Sequence, residues 1–406
     1  MGKPAAAKGL LWKANFIIGG YMSLLLWNTV LNVFQYLEKT ISGAGFIQMT
    51  FTYCFGNVLA FCTSSYILTK MSRKKSMNLT VVLAFAFFFL CLVTCKLSSN
   101  QTLNQYVTIS LGFVVGYFIA FAQSKIAGIA GETGSHEIVY YNFGTGLAGV
   151  ISNIFSYIFT QMFPTNDQAT EDEMLLKQVY ANSAIVIISL FSFWVIQYYF
   201  EKTYIEKNLR QDLFDTESAL TEDVPKTPEP SFSKETNTFT LLKTIADLLL
   251  GLTILYIITI NVVGFFNDFC YNKYDKNSKA FTVPTYLFFF NLFDTIGKFI
   301  PPAYLIKSNA LLQTLNGSRI IIPAYFFWIL FFTVPGGASS PYIRMFFNAV
   351  LGVTSGYFTS SFFTLATSRF TNVSDKGRAT YFSILFLCLG VVICALFNLF
   401  LKSMIN

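Results

Sequence analysis

Charge is scarce in this 406-residue chain: 12% of its residues are charged, while 54% are hydrophobic and 18% aromatic. Soluble domains carry about 25% charge, so a mainly soluble protein is excluded and most of the chain belongs in a bilayer. Histidine is nearly absent, with His136 alone, at the edge of an apolar stretch where an interfacial polar residue is the plain reading and a proton sensor the sharper one. HExxH, Walker A and GxSxG patterns are missing, and no cluster of His, Asp and Glu stands in for them. Hydrolase and transferase chemistry therefore has no residues to run on, and no cofactor motif is present. CxxC pairs are missing too: Cys54, Cys62, Cys91, Cys95, Cys270, Cys388 and Cys394 fall mostly inside apolar stretches. That spacing excludes a zinc site and a disulfide framework, leaving small buried hydrophobes. Short strands of alternating polarity are lacking, which excludes a membrane barrel.

What is present is a series of apolar runs of roughly 20 residues, the length that crosses about 30 Å of hydrocarbon as a helix. Hydropathy predicts eleven of them, at about 10–36, 46–68, 79–97, 104–129, 137–163, 179–200, 242–267, 284–306, 319–335, 342–368 and 379–402. The first is longer than a signal-peptide core and lacks a clear cleavage site, so it is expected to be retained. The formal charge of +7 reflects bases at membrane edges and does not imply a nucleic-acid partner. Lys3, Lys8 and Lys13, then Lys70, Arg73, Lys74 and Lys75, then Lys307 and Arg319, then Arg369, Lys376 and Arg378 fall on one side. By the positive-inside rule that side is cytoplasmic and holds the N-terminus, and eleven spans then put the C-terminus outside. The acidic connection with Asp167, Glu171, Asp172 and Glu173 falls on the other side.

Between residues 201 and 240 the chain turns polar, with both charge signs, many Ser and Thr, and three prolines from Pro225 to Pro230. It reads as a flexible cytoplasmic linker between an N-terminal bundle of six spans (1–200) and a C-terminal bundle of five (241–406). Such a tether suits two halves that rock about a central site. Of four Asn-x-Ser/Thr sequons, at Asn78, Asn100, Asn316 and Asn372, the predicted topology leaves only Asn100 outside, in a short loop close to the membrane.

One apolar run, Thr285 to Ile306, contains Asp294 and Lys298 one helical turn apart. Ionisable groups at bilayer depth cost at least about 2.5 kcal/mol each, so they face a bundle interior or a wet cavity and mark a pathway. The pair serves either a substrate or coupling ion, or a structural bridge. Chemically, the carboxylate accepts hydrogens from two sugar hydroxyls, while the ammonium donates to an acceptor and keeps the acid ionised. Other polar residues within spans are Asn28 beside Trp27, Gln123 with Lys125, Asn142, Asn261, Asn291, Asn348 and Ser355, each of which can instead bond helices together. Trp27 offers a flat apolar face for a heterocycle, and Gln123 both donor and acceptor for a base edge. Gly144-Thr145-Gly146-Leu147-Ala148-Gly149 matches GxGxxG, but within an apolar helix it reads as close helix packing rather than as a nucleotide loop.

These residues resemble the equilibrative nucleoside transporter family over nearly the whole chain. Leu26-Trp27-Asn28 is similar to the family's Pro-Trp-Asn with Leu in place of Pro, and Gln123 through Gly149 to its stretch from the fourth-helix glutamine to the fifth-helix glycines. Phe290-Asn291-Leu292-Phe293-Asp294-Thr295-Ile296-Gly297-Lys298 resembles Phe-Asn-x-x-Asp-x-x-Gly-Arg, and Ser355-Gly356-Tyr357 resembles Asn-Gly-Tyr. The resemblance implies an all-helical, major-facilitator-like bundle that works by alternating access around one central site. Its ligand would be a nucleoside or nucleobase, with Trp27, Gln123, Asp294 and Lys298 lining the site and Asn28, Asn291 and Ser355 beside it or in packing. Lys298 stands where the family has Arg, and an ammonium cannot fork over two acceptors as a guanidinium does. That exchange bears on substrate choice and affinity more than on transport. Rival expectations are a proton-coupled carrier of a sugar or another small polar solute, or, from another class, a membrane enzyme or scaffold. The expected location is the plasma membrane.

Overall fold

The computed structural model describes residues 10–32, 45–70, 100–162, 236–275, 283–301, 303–332 and 336–405, with isolated helical positions between 173 and 191. The expected third span, Asn78, Cys91, Cys95, most of the sixth span and most of the 201–240 linker lie outside the described residues, as do the side chains of Lys125 and His136. All the regular structure among the described residues is helical. In chain order they form α1 (Leu10–Asn32), α2 (Gly45–Lys70), α3 (Gln101–Thr133) and α4 (Ser135–Met162), then α5 (Thr238–Ile260) and α6 (Val283–Phe299). The remainder are α7 (Asn309–Ser318), α8 (Ile321–Phe331), α9 (Pro341–Ser368) and α10 (Val373–Ile405). Among the described residues, four stretches are long and apolar enough to cross a bilayer: Thr102–Thr133, Thr238–Phe266, Asn309–Phe331 and Val373–Asn398.

Local chemistry starts these helices where the sequence allows. Asn100 caps α3 by accepting from the backbone N–H groups of Thr102 and Leu103, Asn237 caps α5, and Ser308 caps α7. A single residue, Gly134 with φ +147°, joins α3 to α4. L-residues with a side chain rarely adopt that dihedral, so only glycine makes so short a connection without strain. Past Ile260, α5 continues through π-helical turns at Asn261–Phe266 and Tyr271–Asp275, with one α-turn between them.

Without water between them, helices in a bilayer associate by close packing, and glycine sets how close they come. Helix α1 packs on α4, α2 on α3, α5 on α10 and α6 on α9. A Cβ at Gly20 or Gly144 would strike the facing backbone of α4 or α1, and one at Gly56 or Gly116 would do the same between α3 and α2. The rings and aliphatic chains so brought together form one core running from Phe16 and Phe61 to Leu248 and Ile384, and a second around Phe266, Phe326 and Leu351. Leu250 and Ile321 are 60% and 66% exposed, and Phe346 and Phe400 join them on an apolar outer surface that lipid would cover.

One end of the bundle, the basic end, gathers arginines. Arg369 donates to the Thr244 carbonyl and pairs with Asp247 at 2.6 Å, while Arg378 reaches Asp375, the Thr236 carbonyl and Thr238. Thr236, at the end of the linker, donates to Asp375 at 2.6 Å, so α5 starts pinned to the first turn of α10. A Cβ at Gly377 would meet Glu132, which brings the end of α3 to the same place.

Two expected boundaries need correction. The eighth span stops as a helix at Phe299 rather than Ile306, because Pro301 follows and the chain turns back through Ile300–Tyr304. The ninth begins at Asn309, not 319, and breaks only briefly before Ile321. Arg319 therefore does not sit at a membrane edge, and it drops out of the basic residues that mark that side. Asn316, a sequon residue, is buried and donates to the Gly251 carbonyl, which removes it as a glycan acceptor.

Candidate functional site

The apolar frame of α6 leaves the Asp294–Lys298 pair almost dry. Lys298 Nζ lies 2.6 Å from Asp294 Oδ2, and the residues are 5% and 6% exposed. A charge-assisted contact of that length in a low-dielectric setting is strong, and each partner offsets the desolvation of the other. The ammonium also donates to Thr145 Oγ1 on α4 at 3.1 Å, and that hydroxyl donates onward to the Asn142 carbonyl at 2.6 Å. The pair thus touches both halves of the chain.

Two glycines make this approach possible. Gly146 faces Thr295 and Gly149 faces the Asn291 amide, at a spacing that leaves no room for a Cβ, and Phe143 meets Phe299 with ring centroids 5.3 Å apart. The GxGxxG stretch is therefore a packing surface inside α4: Gly144 serves α1 while Gly146 and Gly149 serve α6. On the other side of α6, a Cβ at Gly297 would strike the Val353 carbonyl of α9, and one at Gly356 the Asp294 carbonyl itself. Gly356→Ala should push α9 off α6, costing about 1–3 kcal/mol for the overpacking. Its purified protein should melt lower than wild type.

Trp27 and Gln123 sit on the other half. Trp27 stacks on Tyr53 with centroids 4.0 Å apart and planes 17° from parallel. Gln123 is buried and bonds the Tyr141 hydroxyl, which also donates to Ser23 Oγ at 3.2 Å. Tyr141 and Thr145 are one turn apart on α4, so the partner of Gln123 and the partner of Lys298 share a helix face. Among the described residues no hydrogen bond, ion pair or ring contact links Trp27 or Gln123 to the charge pair. Of the remaining candidates, Asn28 donates to the Leu24 carbonyl of its own helix, Asn291 packs on Gly149, and Ser355, 1% exposed, takes a 3.5 Å contact from Thr259.

Composition and pattern do not point to Arg319, yet it is the second cation of this region. Its guanidinium donates to Thr259 Oγ1 at 2.9 Å, Thr354 Oγ1 at 3.0 Å, and Asn316 Oδ1 and the Leu351 carbonyl at 3.4 Å. Among the described residues no carboxylate touches it, and the field of Asp294 reaches it from α6. A second buried cluster lies at the end opposite the basic one. Arg344 pairs with Asp275 at 2.7 Å, Tyr286 donates to the same carboxylate at 2.9 Å, and the Asn267 and Asn348 amides bond reciprocally at 2.8 and 3.0 Å. Lys273 and Tyr274 donate to carbonyls at the end of α8. The sequence signal for Arg319 is Ser308, a helix cap ten residues earlier than the apolar run suggests; Arg344 has none beyond its place just inside Pro341.

Residues 109–403 match the family model for nucleoside transporters. No curated protein sequence matches the chain. Solved structures with a similar fold include the major-facilitator proton:xylose symporter XylE with 6-bromo-6-deoxy-D-glucose, at TM-score 0.62 and 11% identity, covering 97% of this chain and 88% of that one. The fucose:proton symporter FucP of E. coli follows at TM-score 0.57 and 10% identity, covering 98% and 93%. The nucleoside transporter NupG gives TM-score 0.55 and 11% identity over 95% and 90%. At those identities the structural likeness speaks to fold alone: all-helical and of the major-facilitator type.

Proposed function

Because this chain belongs to the nucleoside transporter family, a membrane transporter and not an enzyme, we propose that it carries nucleosides, with purine nucleosides and nucleobases among the candidates, down their gradient through a site at Asp294 and Lys298. The observation that carries this reading is the dry 2.6 Å pair on α6, facing α4 across the seam between the halves. Asp294 accepts the sugar hydroxyls, Lys298 pairs with the carboxylate, Gln123 contacts the base edge and Trp27 packs against the ring. Eleven spans form a bundle at 1–200 and another at 241–406, joined by the 201–240 linker. Rocking of one against the other opens the site to each side in turn. The basic end is cytoplasmic by the positive-inside rule, the N-terminus with it, and the plasma membrane is the membrane crossed.

Uptake of labelled adenosine, inosine, uridine, hypoxanthine and glucose into proteoliposomes tests this directly. Nucleoside or nucleobase flux should exceed glucose flux and should persist when a pH gradient is collapsed; flux that vanishes with the gradient would identify a proton-coupled carrier instead. Lys298→Arg should keep transport while changing the order of preferred substrates, since a planar fork replaces a point charge. An unchanged order would make the lysine neutral.

A further inference from the structure

Lys298 has two partners, and they belong to different halves of the protein. Asp294 is on its own helix, one turn away; Thr145 is on α4, 153 residues earlier in the chain. A hydroxyl has one hydrogen to give and two lone pairs to offer. Thr145 gives its hydrogen to the Asn142 carbonyl, which turns a lone pair toward the ammonium. Around this contact the seam is tight, with Gly146 on Thr295, Gly149 on Asn291 and Phe143 on Phe299. Helix α4 starts at the basic end and Phe143–Gly149 lies in its first half, as Thr295–Phe299 lies in the last turns of α6 before the chain turns at that end. A second cross-half contact, Phe61 with Tyr381 at 5.3 Å, falls toward the same end. The contact between Thr145 and Lys298 is thus a charge-assisted bond across a tightly packed closure.

We propose that Thr145 is a positioning residue: by holding Lys298 it keeps the α4–α6 seam closed at the basic end and fixes the ammonium beside Asp294. Each opening toward that end must break this bond, so its strength sets the fraction of molecules open there. This lock rests on the α6 pair of the proposed site, but its readout needs no substrate. A hydrogen bond to a charged group changes an equilibrium by roughly tenfold or more.

The seam can be read with a thiol introduced by Thr295→Cys, a near-isosteric change at a buried position facing Gly146. Its alkylation by N-ethylmaleimide, followed peptide by peptide with mass spectrometry on purified full-length protein, avoids confusion with Cys62 and the other native cysteines. Adding Thr145→Val, which keeps the shape and removes the acceptor, should raise the alkylation rate about tenfold. Thr145→Ser should restore the parent rate, and Thr145→Ala should behave as Val if Val alone folds poorly. Lys298→Met, made together with Asp294→Asn so that no unpaired carboxylate is left buried, should raise the rate at least as much as Thr145→Val, and adding Thr145→Val to it should raise the rate no further, because the bond is already gone. A Thr145→Val rate equal to the parent, failed rescue by Ser, or additive effects would overturn the proposal. Transport that survives Asp294→Asn, with the seam still opened by Thr145→Val, would sink the substrate-site assignment and leave this lock standing.

Discussion

Asp294→Asn should reduce nucleoside uptake about a hundredfold. The change removes the charge that strengthens each hydroxyl contact, worth about 1.5–3 kcal/mol per bond, and the observed 2.6 Å contact to Lys298 loses its ionic part. It also leaves a buried ammonium with neutral partners, which by itself costs about 3–5 kcal/mol of stability. A fall in uptake alone would therefore confuse misfolding with a damaged site. The double variant Asp294→Asn with Lys298→Met resolves this, since it removes the stranded charge and should recover monodisperse, thermally stable protein while remaining inactive in proteoliposomes. Full uptake in either variant, at wild-type protein levels, would refute the site.

A stability loss of the same size is expected at the other buried ion pair. Arg344 and Asp275 are 1% and 6% exposed and meet at 2.7 Å, with Tyr286 bonding the same carboxylate. Arg344→Met or Asp275→Asn should each destabilise the protein by about 3–5 kcal/mol, because one charge is left without its partner in a low-dielectric interior. In combination the two changes should cost much less than their sum, with thermal melting of the purified protein as the measure. Additive losses would mean that Arg344 acts through Tyr274 and Tyr286, over whose rings it lies at 5.4 and 5.6 Å, rather than through Asp275.

The α6 pair is legible in the sequence for a plain reason: two charges at i, i+4 inside a run of phenylalanines have few physical meanings. The packing role of Gly144, Gly146 and Gly149 is legible in the same way, since small residues in an apolar helix mark a close neighbour. Which neighbour each glycine faces is not, because that depends on how α1 and α6 flank α4. Arg319 hides for a different reason. Gln313, Thr314, Asn316, Gly317 and Ser318 precede it, and such a polar stretch reads as a loop until Asp247, Gly251 and Thr259 of α5 are seen to supply partners for Gln313, Asn316 and Arg319. Hydropathy measures affinity for lipid, and Asn316 and Arg319 are sheltered from lipid by other helices. Thr145 is quieter still: a threonine in an apolar helix carries no signal, and only the fold brings Lys298 to it.

The π-turns that extend α5 bear on how this segment tolerates change. A residue inserted into an α-helix rotates everything after it by about 100°, since 3.6 residues complete a turn, and a π-turn is such an insertion absorbed locally. The two of them lie on either side of Asn267–Cys270, between the Thr259 hydroxyl that receives Arg319 and the Asp275 carboxylate that receives Arg344. The azimuth of Asp275 is therefore set by the number of residues in this stretch as much as by their identity. Related chains that differ there by one residue would aim a different side chain at Arg344, so length at this point is as informative as sequence.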